Sequence, residues 1–296
     1  MRRAARFFKD RGVLKGEMHM SKKKRAVTLA VFALLLLAVL AAALCLGTPE
    51  KTESIKEAMR DAVLHESNKV SLFGIKDVNP AFISAVTVSA ILLLFAAIVR
   101  IFVIPRFKYV PGKFQLVLEQ AVGFFDNLAK SNSPHRNGFL GAYIFAAGSY
   151  IFAGTLFELF GLQAVAANGA SVALPAPLSD INAAIALGCF SYLIIMSGGI
   201  AGNRLKGIGL TLKDFSLPIS MSFRLFGALL SGLLVTELVY YYINLSFVLP
   251  VAVGVMFTLL HALIQTYVLT MLTALFYGEV SAPQPKRTKV KKANKA

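Results

Sequence analysis

One residue is chemically unusual in its setting. Arg224, in the run SFRLFGALLSG, is the only basic residue well inside an apolar stretch. A charged side chain at the centre of a membrane helix costs about 2.5 to 3.5 kcal/mol on insertion scales. A fixed ion pair would be the ordinary explanation, but no acidic residue lies three or four positions away on the same helix. Because arginine keeps its proton up to a pKa above about 12, Arg224 is expected to act as a permanent positive charge and not as a proton carrier.

Three further polar residues lie in apolar runs near the C-terminus. Glu237 follows Arg224 by thirteen residues, roughly 20 Å along a helix. His261 and Gln265 are one helical turn apart on one face of the last run. A fixed Arg lowers the pKa of a nearby carboxyl by roughly one to three units, so that this carboxyl releases its proton or ion. No other carboxyl of this chain is well placed to move past Arg224, so the sequence predicts that the moving one belongs to a partner.

The elements that position these residues must be membrane helices. Of the 296 residues, 56% are apolar and 16% are charged, against about 45 to 50% and about a quarter in soluble domains. The net charge of +16 is concentrated between apolar runs, which argues against a nucleic-acid-binding face. The two cysteines, Cys45 and Cys189, both lie in apolar runs, so neither a disulfide framework nor a Cys-based zinc site is expected.

Six apolar runs are long enough to cross a bilayer, which takes about 20 residues. They lie at about 26–47, 81–104, 139–160, 181–201, 216–243 and 247–278. The sequence therefore predicts an all-α, polytopic membrane helix bundle with five core transmembrane helices plus an N-terminal span. The fifth and sixth spans should form an antiparallel hairpin because the connection near 244–250 is short. The sixth is longer than a bilayer is thick and must tilt strongly.

Basic residues orient this bundle. Lys and Arg are frequent in 1–25, 100–136, 204–213 and 286–295, and they are absent from 161–180 and 244–250. The positive-inside rule then places both termini in the cytoplasm and the protein in the cell membrane. The predicted organisation is a basic cytoplasmic extension (1–25), a signal-like or anchor span (26–47), an external segment (48–80), a membrane domain (81–280) and a basic cytoplasmic tail (281–296).

Two segments allow two interpretations each. KKKR at 22–25, followed by a Leu/Ala run, has the charged and apolar regions of a secretory signal, so the 26–47 span is either cleaved or kept as an anchor. Residues 111–130 have apolar side chains at three- and four-residue steps, which predicts an amphipathic helix. That helix either lies along the cytoplasmic membrane surface or packs on another subunit.

The hairpin also predicts a register. If Arg224 faces Gln265, then His261 faces about Ala228, and Glu237 lies further outward on its own helix. Glu237 and His261 should then lie apart and not pair directly.

Three other classes of membrane protein would require different sequence features. A secondary transporter could bind an anionic substrate at Arg224 and use Glu237 or Glu158 with His261 as proton groups, but it would predict an internal repeat that the sequence does not have. A membrane-embedded enzyme would need a nucleophile with a base, or a metal set, and the four histidines are scattered along the chain. A purely structural assembly subunit would not need Arg224.

Four segments, taken in order, closely resemble subunit a of the membrane sector of bacterial F-type ATP synthases. They are VPGKFQLVLEQAVGFFDN, PAPLSDINAAIALG, SFRLFGALLSG and IQTYVLTMLTALFYGE, and the resemblance spans residues 105–280. It implies that Arg224 is the family's essential Arg, facing a rotating ring of c subunits, and that Gln265 is the family's Gln. It further implies two offset aqueous half-channels that couple the flow of H⁺ or Na⁺ to ATP synthesis.

The resemblance also implies the remaining site residues and the partners. The expected partners are the c-ring, the b subunits of the peripheral stalk and the assembled synthase; the subunit itself is expected to be non-catalytic and without a cofactor. In this chain Ala228 stands where the family usually has Asn, and Leu233 and Thr258 stand at the positions of its usual acid and His pair. The residues expected to line the ion half-channels are Gln265, Glu237, His261, Glu158, Asp180 and Asn182.

Overall fold

The computed structural model describes residues 70–72, 75–165, 171–241 and 249–283, together with seven isolated positions before residue 61. The chain divides into two compact units, Met1–Thr52 and Glu53–Ala296. In the first unit only positions 27, 30, 31 and 34 are described, and all four are helical. The rest of the predicted 26–47 span, the extension 1–25 and the tail after residue 283 lie outside the described residues.

The described elements of the second unit are seven α-helices and two small antiparallel hairpins. The first hairpin pairs β1 (Val70–Leu72) with β2 (Ile75–Val78), and the second pairs β3 (Gln163–Val165) with β4 (Ser171–Ala173). The helices are α1 (Pro80–Ile98), α2 (Lys113–Asn132), α3 (Gly138–Phe157), α4 (Ile181–Asn203), α5 (Leu205–Lys213), α6 (Ser216–Tyr241) and α7 (Leu249–Ser281). A π-helical turn (Val99–Val103) and a 3₁₀ turn (Ile104–Arg106) extend α1.

Among the described residues, five helices are long and apolar enough to cross a membrane: Pro80–Arg106, Gly138–Phe160, Ile181–Asn203, Ser216–Thr236 and Ala252–Ser281. They coincide with five of the six predicted spans, and the all-α polytopic bundle is confirmed. Helix α7 has 33 residues, or about 50 Å at 1.5 Å per residue. The bilayer core is only about 30 Å thick.

The helices pack closely where glycine permits it. A methyl group added at Gly198 of α4 would meet the Tyr277 ring of α7 at 2.5 to 2.8 Å. One added at Gly188 of α4 would meet Pro218 and Ser222 at the start of α6. The core between these helices and α3 is apolar, with Leu140, Ile144, Ile151, Ile195, Met221 and Leu225 among its most buried side chains.

Most of the basic segment 204–213 forms the helix α5. It folds back along α4, where Gly207 approaches Gly199 backbone to backbone and Tyr192 Oη donates a hydrogen bond to the Thr211 carbonyl at 3.0 Å. The reversal takes place at Arg204, whose φ of 53° lies in the region that favours glycine.

The predicted helix at 111–130 is present as α2. Its C-terminal half packs on α3, with the rings of Phe125 and Phe145 edge to face at 5.7 Å between centroids. Its N-terminal half leaves Phe114, Val117 and Val122 exposed. The structure therefore packs one half of this helix within the chain and leaves an apolar face on the other half.

Candidate functional site

Arg224 lies on the exposed face of α6. Its neighbours Met221, Ser222 and Leu225 are buried and attach the opposite face of α6 to the core. Within the described part of the chain Arg224 forms no ion pair. The guanidinium therefore projects from an intramembrane helix toward whatever covers that face.

Small and polar residues extend from Arg224 along the same face in both directions. They recur at steps of three or four residues, so they lie in one row along α6. We call this row the polar stripe; its exposed members are Ser216, Ser220, Arg224, Gly227 and Ser231. Ser216 and Ser220 were not among the predicted site residues, although their spacing from Arg224 is visible in the sequence.

Gln265 lies on α7, and its side chain is 6% exposed. Its Oε1 has no hydrogen-bond partner among the described residues. A buried amide oxygen without a partner is costly, so this position is suited to a water molecule or a group supplied from outside the chain. The register drawn from the sequence assumed that Arg224 faces Gln265; in the structure Gln265 is buried and Arg224 is exposed.

His261 is half-buried on the same helix. Its Nδ1 would lie 3.6 Å from a methyl group added at Gly232 of α6, and its ring lies beside Phe257, with 5.9 Å between the ring centroids. The predicted neighbour was Ala228, one turn closer to Arg224, so that register is corrected by about one helical turn. Glu237 falls within α6, but its side chain lies outside the described part of the structure.

Asp180 begins α4 as its N-cap. One carboxylate oxygen accepts hydrogen bonds from the backbone N–H groups of Asn182 at 2.7 Å and Ala183 at 3.4 Å. The other accepts one from the Asn79 side-chain amide, and Asn79 in turn caps α1 through the Ala81 N–H at 2.9 Å. The two caps therefore join the first turns of α1 and α4.

Asn182 and Glu158 lie near this junction. Asn182 is exposed on the first turn of α4. Glu158 is half-buried and starts the 3₁₀ turn that ends α3, a turn closed by Gly161 at a φ of 58°. Gly154, one turn earlier, lies beside Pro177, with 3.5 Å between an added methyl group and the proline ring. The structure thus brings Glu158, Asp180 and Asn182 to one end of the bundle.

The described residues contain no group of three or more His, Cys, Asp or Glu side chains that could hold a metal ion. The polar groups of the site are instead dispersed along α6, along α7 and at the junction of α3 with α4. This dispersal suits residues that line a path better than residues that converge on one reacting atom.

Comparison with known proteins gives several relatives named as subunit a of ATP synthase. ATP synthase subunit a of Cereibacter sphaeroides is 25% identical over 199 residues, covering 63% of this chain and 76% of that protein. The subunit of Histophilus somni is 25% identical over 199 residues, covering 56% and 73%. The chloroplastic subunit of Stigeoclonium helveticum is 35% identical over 121 residues, covering 36% and 47%.

The sequence model of the family "ATP synthase A chain" matches residues 81–278, which include Arg224 and all but the outermost residues of the five long apolar helices. Since this match covers about two thirds of the 296 residues, the chain belongs to the ATP synthase A chain family.

Proposed function

We propose that this chain is the ion-translocating stator subunit of a rotary F-type ATP synthase, with Arg224 as the fixed charge that acts on the carboxylate of a rotating c-ring. The observation that carries the proposal is the exposure of Arg224 on an intramembrane helix without a described partner. A guanidinium left against lipid is costly. A partner that carries a carboxylate would remove this cost.

Arg224 would then act electrostatically. A ring carboxylate that approaches the guanidinium has its pKa lowered by roughly one to three units and releases its ion. Since the guanidinium keeps its own charge throughout, it also opposes direct passage of a cation along α6. Ions would cross only by riding on the ring, so that their flow is coupled to rotation. The chain itself would form no ATP and would need no cofactor.

The polar stripe supplies a candidate inner path to Arg224. Ser216 and Ser220 lie on the same exposed face as Arg224, and their side chains can hold water between α6 and a ring. With the C-terminus in the cytoplasm, this part of the stripe leads from the cytoplasmic side. Gly227 has no side chain, and nothing lies within 4 Å of a methyl group added there. This position therefore leaves room for a partner helix beside Arg224.

The outer path would be lined by Gln265, Glu237, His261, Glu158, Asp180 and Asn182. The unpaired Oε1 of Gln265 fits a water molecule on that path. Asp180 differs from the others, because its carboxylate is held by the α4 backbone and by Asn79. We assign it to the wall of the path and assign ion exchange to Glu237 or Glu158.

The decisive test replaces Arg224. In inverted membrane vesicles, Arg224→Ala should abolish ATP-driven ion pumping while the assembled complex is still recovered. Arg224→Lys should also fail, because an ammonium can lose its proton in a dry site and lacks the planar fork of donors. Normal pumping by the Arg224→Ala vesicles would refute the proposal.

A second test examines the surface beside Arg224. Gly227→Leu should stop pumping by blocking the ring, and the isolated chain should remain folded because the position is open. The control is Gly123→Leu on α2, which is also open but lies away from Arg224. Equal pumping by both variants would mean that no ring packs at Gly227.

Accessibility tests the two paths separately. With Cys45 and Cys189 replaced by Ser, single cysteines at 216 and 220 should react with a small hydrophilic thiol reagent from the cytoplasmic side. Cysteines at 158, 237 and 261 should react from the outside. Protection of all five positions from both sides would make them buried structural groups.

Leu233 stands where the family usually has an acidic residue, and this departure gives one more test. Glu237→Gln should slow ion flux strongly, and Leu233→Glu, one turn away on the same helix, should restore part of it. Unchanged flux in Glu237→Gln would transfer the exchange role to Glu158. Whether the ion is H⁺ or Na⁺ is set chiefly by the ring, and the Na⁺ dependence of ATP hydrolysis by the assembled complex measures it.

A further inference from the structure

The connection between α1 and α2 projects apolar side chains away from the bundle. Tyr109 is 108% exposed and Val110 is 83% exposed, and Phe114 in the first turn of α2 is also more than half exposed. Exposed apolar side chains that are contiguous in this way mark an interaction site more often than an ordinary surface does. We call residues 106–114 the basic turn.

The Gln115 side chain of α2 is hydrogen-bonded to the backbone of the basic turn. The Gln115 side chain accepts a hydrogen bond from the Lys108 N–H at 3.1 Å and donates one to the Lys108 carbonyl at 3.0 Å. The same amide nitrogen donates to Glu119 Oε1 at 2.7 Å. Because Gln115 fixes Lys108 from both sides, the next two residues, Tyr109 and Val110, are presented as a fixed tip.

The charge around this tip has one sign. Arg100, Arg106, Lys108 and Lys113 lie between residues 99 and 118, and that stretch has no acidic residue. The span that starts at Pro80 ends at Arg106, so Tyr109 follows the end of a membrane helix by three residues. The basic turn must therefore lie at the level where lipid headgroups begin.

We propose that the basic turn inserts Tyr109 and Val110 into the interface of an anionic lipid leaflet, while Arg106, Lys108 and Lys113 bind the headgroup phosphates. Basic side chains near an anionic membrane surface are attracted to it, and amphipathic rings favour the headgroup level. A protein partner fits less well, because lysine is depleted in protein interfaces and here two of the three basic residues are lysines. The insertion holds the exposed N-terminal half of α2 along the membrane, and it does not depend on the ion path.

The chain has no tryptophan, which permits a direct test. Tyr109→Trp gives the reconstituted full-length chain a single fluorescent reporter at the tip. In phosphatidylglycerol vesicles that contain lipids brominated on their acyl chains, the emission should be blue-shifted, quenched by the bromolipid and protected from aqueous acrylamide. In vesicles of phosphatidylcholine alone, quenching by the bromolipid should fall by more than half.

Three results would overturn the proposal. Quenching by acrylamide and not by bromolipid would place the tip in water. Equal bromolipid quenching in anionic and neutral vesicles would remove the role of the charges. The reporter can also be measured in an assembled synthase whose other subunits contain no tryptophan. Protection of the reporter from both quenchers there would mean that a protein subunit covers the tip.

Matched variants isolate the contribution of the basic residues. In the Tyr109→Trp chain, Lys108→Glu with Lys113→Glu should lower bromolipid quenching of the tip reporter to the level seen in neutral vesicles. Lys206→Glu with Lys213→Glu changes the net charge equally at the two ends of α5 and should leave that quenching unchanged. A separate set of chains keeps Tyr109 and carries Leu93→Trp on the exposed side of α1. The tryptophan emission of these chains shows that each charge variant is inserted in the membrane. Equal loss of quenching in both charge pairs would contradict a local site.

Discussion

The contact between Gly198 and Tyr277 is where the smallest perturbation should have the largest effect on the bundle. The Tyr277 ring lies directly against Gly198, so that α4 and α7 approach closely, and the tyrosine is only 5% exposed. Gly198→Ala would place a methyl group 2.5 Å from the nearest ring carbon, where ordinary contact begins at 3.4 Å. The two helices must therefore separate locally by several tenths of an ångström, or the ring must leave its rotamer.

The expected change in the stability of Gly198→Ala follows from two opposing effects. Overpacking of a core by one methyl group costs about 1 to 3 kcal/mol. Alanine in place of glycine stabilises a helix by up to about 1 kcal/mol. Gly227→Ala on α6 gains the same helix propensity but meets nothing within 4 Å. The difference between the two variants isolates the steric effect, and we expect Gly198→Ala to be less stable by about 1 to 3 kcal/mol.

The measurement is unfolding of the purified chain in mixed micelles by titration with a denaturing detergent, followed by circular dichroism. A Gly198→Ala variant as stable as Gly227→Ala would mean that the ring does not pack against α4. Tyr277→Leu supplies the second half of a double-mutant cycle, since a smaller side chain makes room for the methyl group. The two changes together should then be less harmful than their sum by about 0.5 kcal/mol or more.

Three further changes should alter stability in the same assay. Arg204→Gly should stabilise the chain by about 1 kcal/mol, because glycine removes the strain of a positive φ of 53°; a loss of stability would contradict that backbone conformation. Asn79→Ala and Asp180→Ala should each destabilise by about 0.5 to 2 kcal/mol and should be less than additive together, whereas strict additivity would show that the two caps are independent. Tyr143→Phe removes a buried 2.8 Å hydrogen bond to Ser191 and should destabilise by about 0.6 kcal/mol; the same loss in a Ser191→Ala background would mean that this hydrogen bond contributes nothing.

The helices were predictable because each is an apolar run of bilayer length. The predicted run 181–201 became α4 at Ile181–Asn203, and 139–160 became α3 with its 3₁₀ extension to Phe160. Asp180, just before the run 181–201, has the chemistry of a helix cap. Its hydrogen bond to Asn79, 101 positions earlier, has no local signal and required the packed bundle.

Which side of each helix packs against protein was not predictable. Helices α3, α4, α6 and α7 are apolar nearly all round, so their sequences do not tell which face meets protein and which meets lipid or a partner. For this reason the sequence could only assume that Arg224 faces Gln265, while the structure exposes the arginine and buries the glutamine. The helix α5 was missed for a related reason, since a nine-residue segment with two glycines and two lysines resembles a loop until Gly207 meets Gly199.

The sequence by itself determined the class of the protein, its family and the one basic residue that lies well inside an apolar span. These follow from local quantities, namely the length of apolar runs, the type of each residue and the order of four motifs. Only the tertiary structure decided which polar groups share a surface: the polar stripe around Arg224, the junction of Asn79 with Asp180, and the contact of His261 with Gly232. The physical reason is that a membrane helix can rotate and slide against its neighbours without changing its own apolar pattern, so close packing at glycines must fix both its rotation and its register.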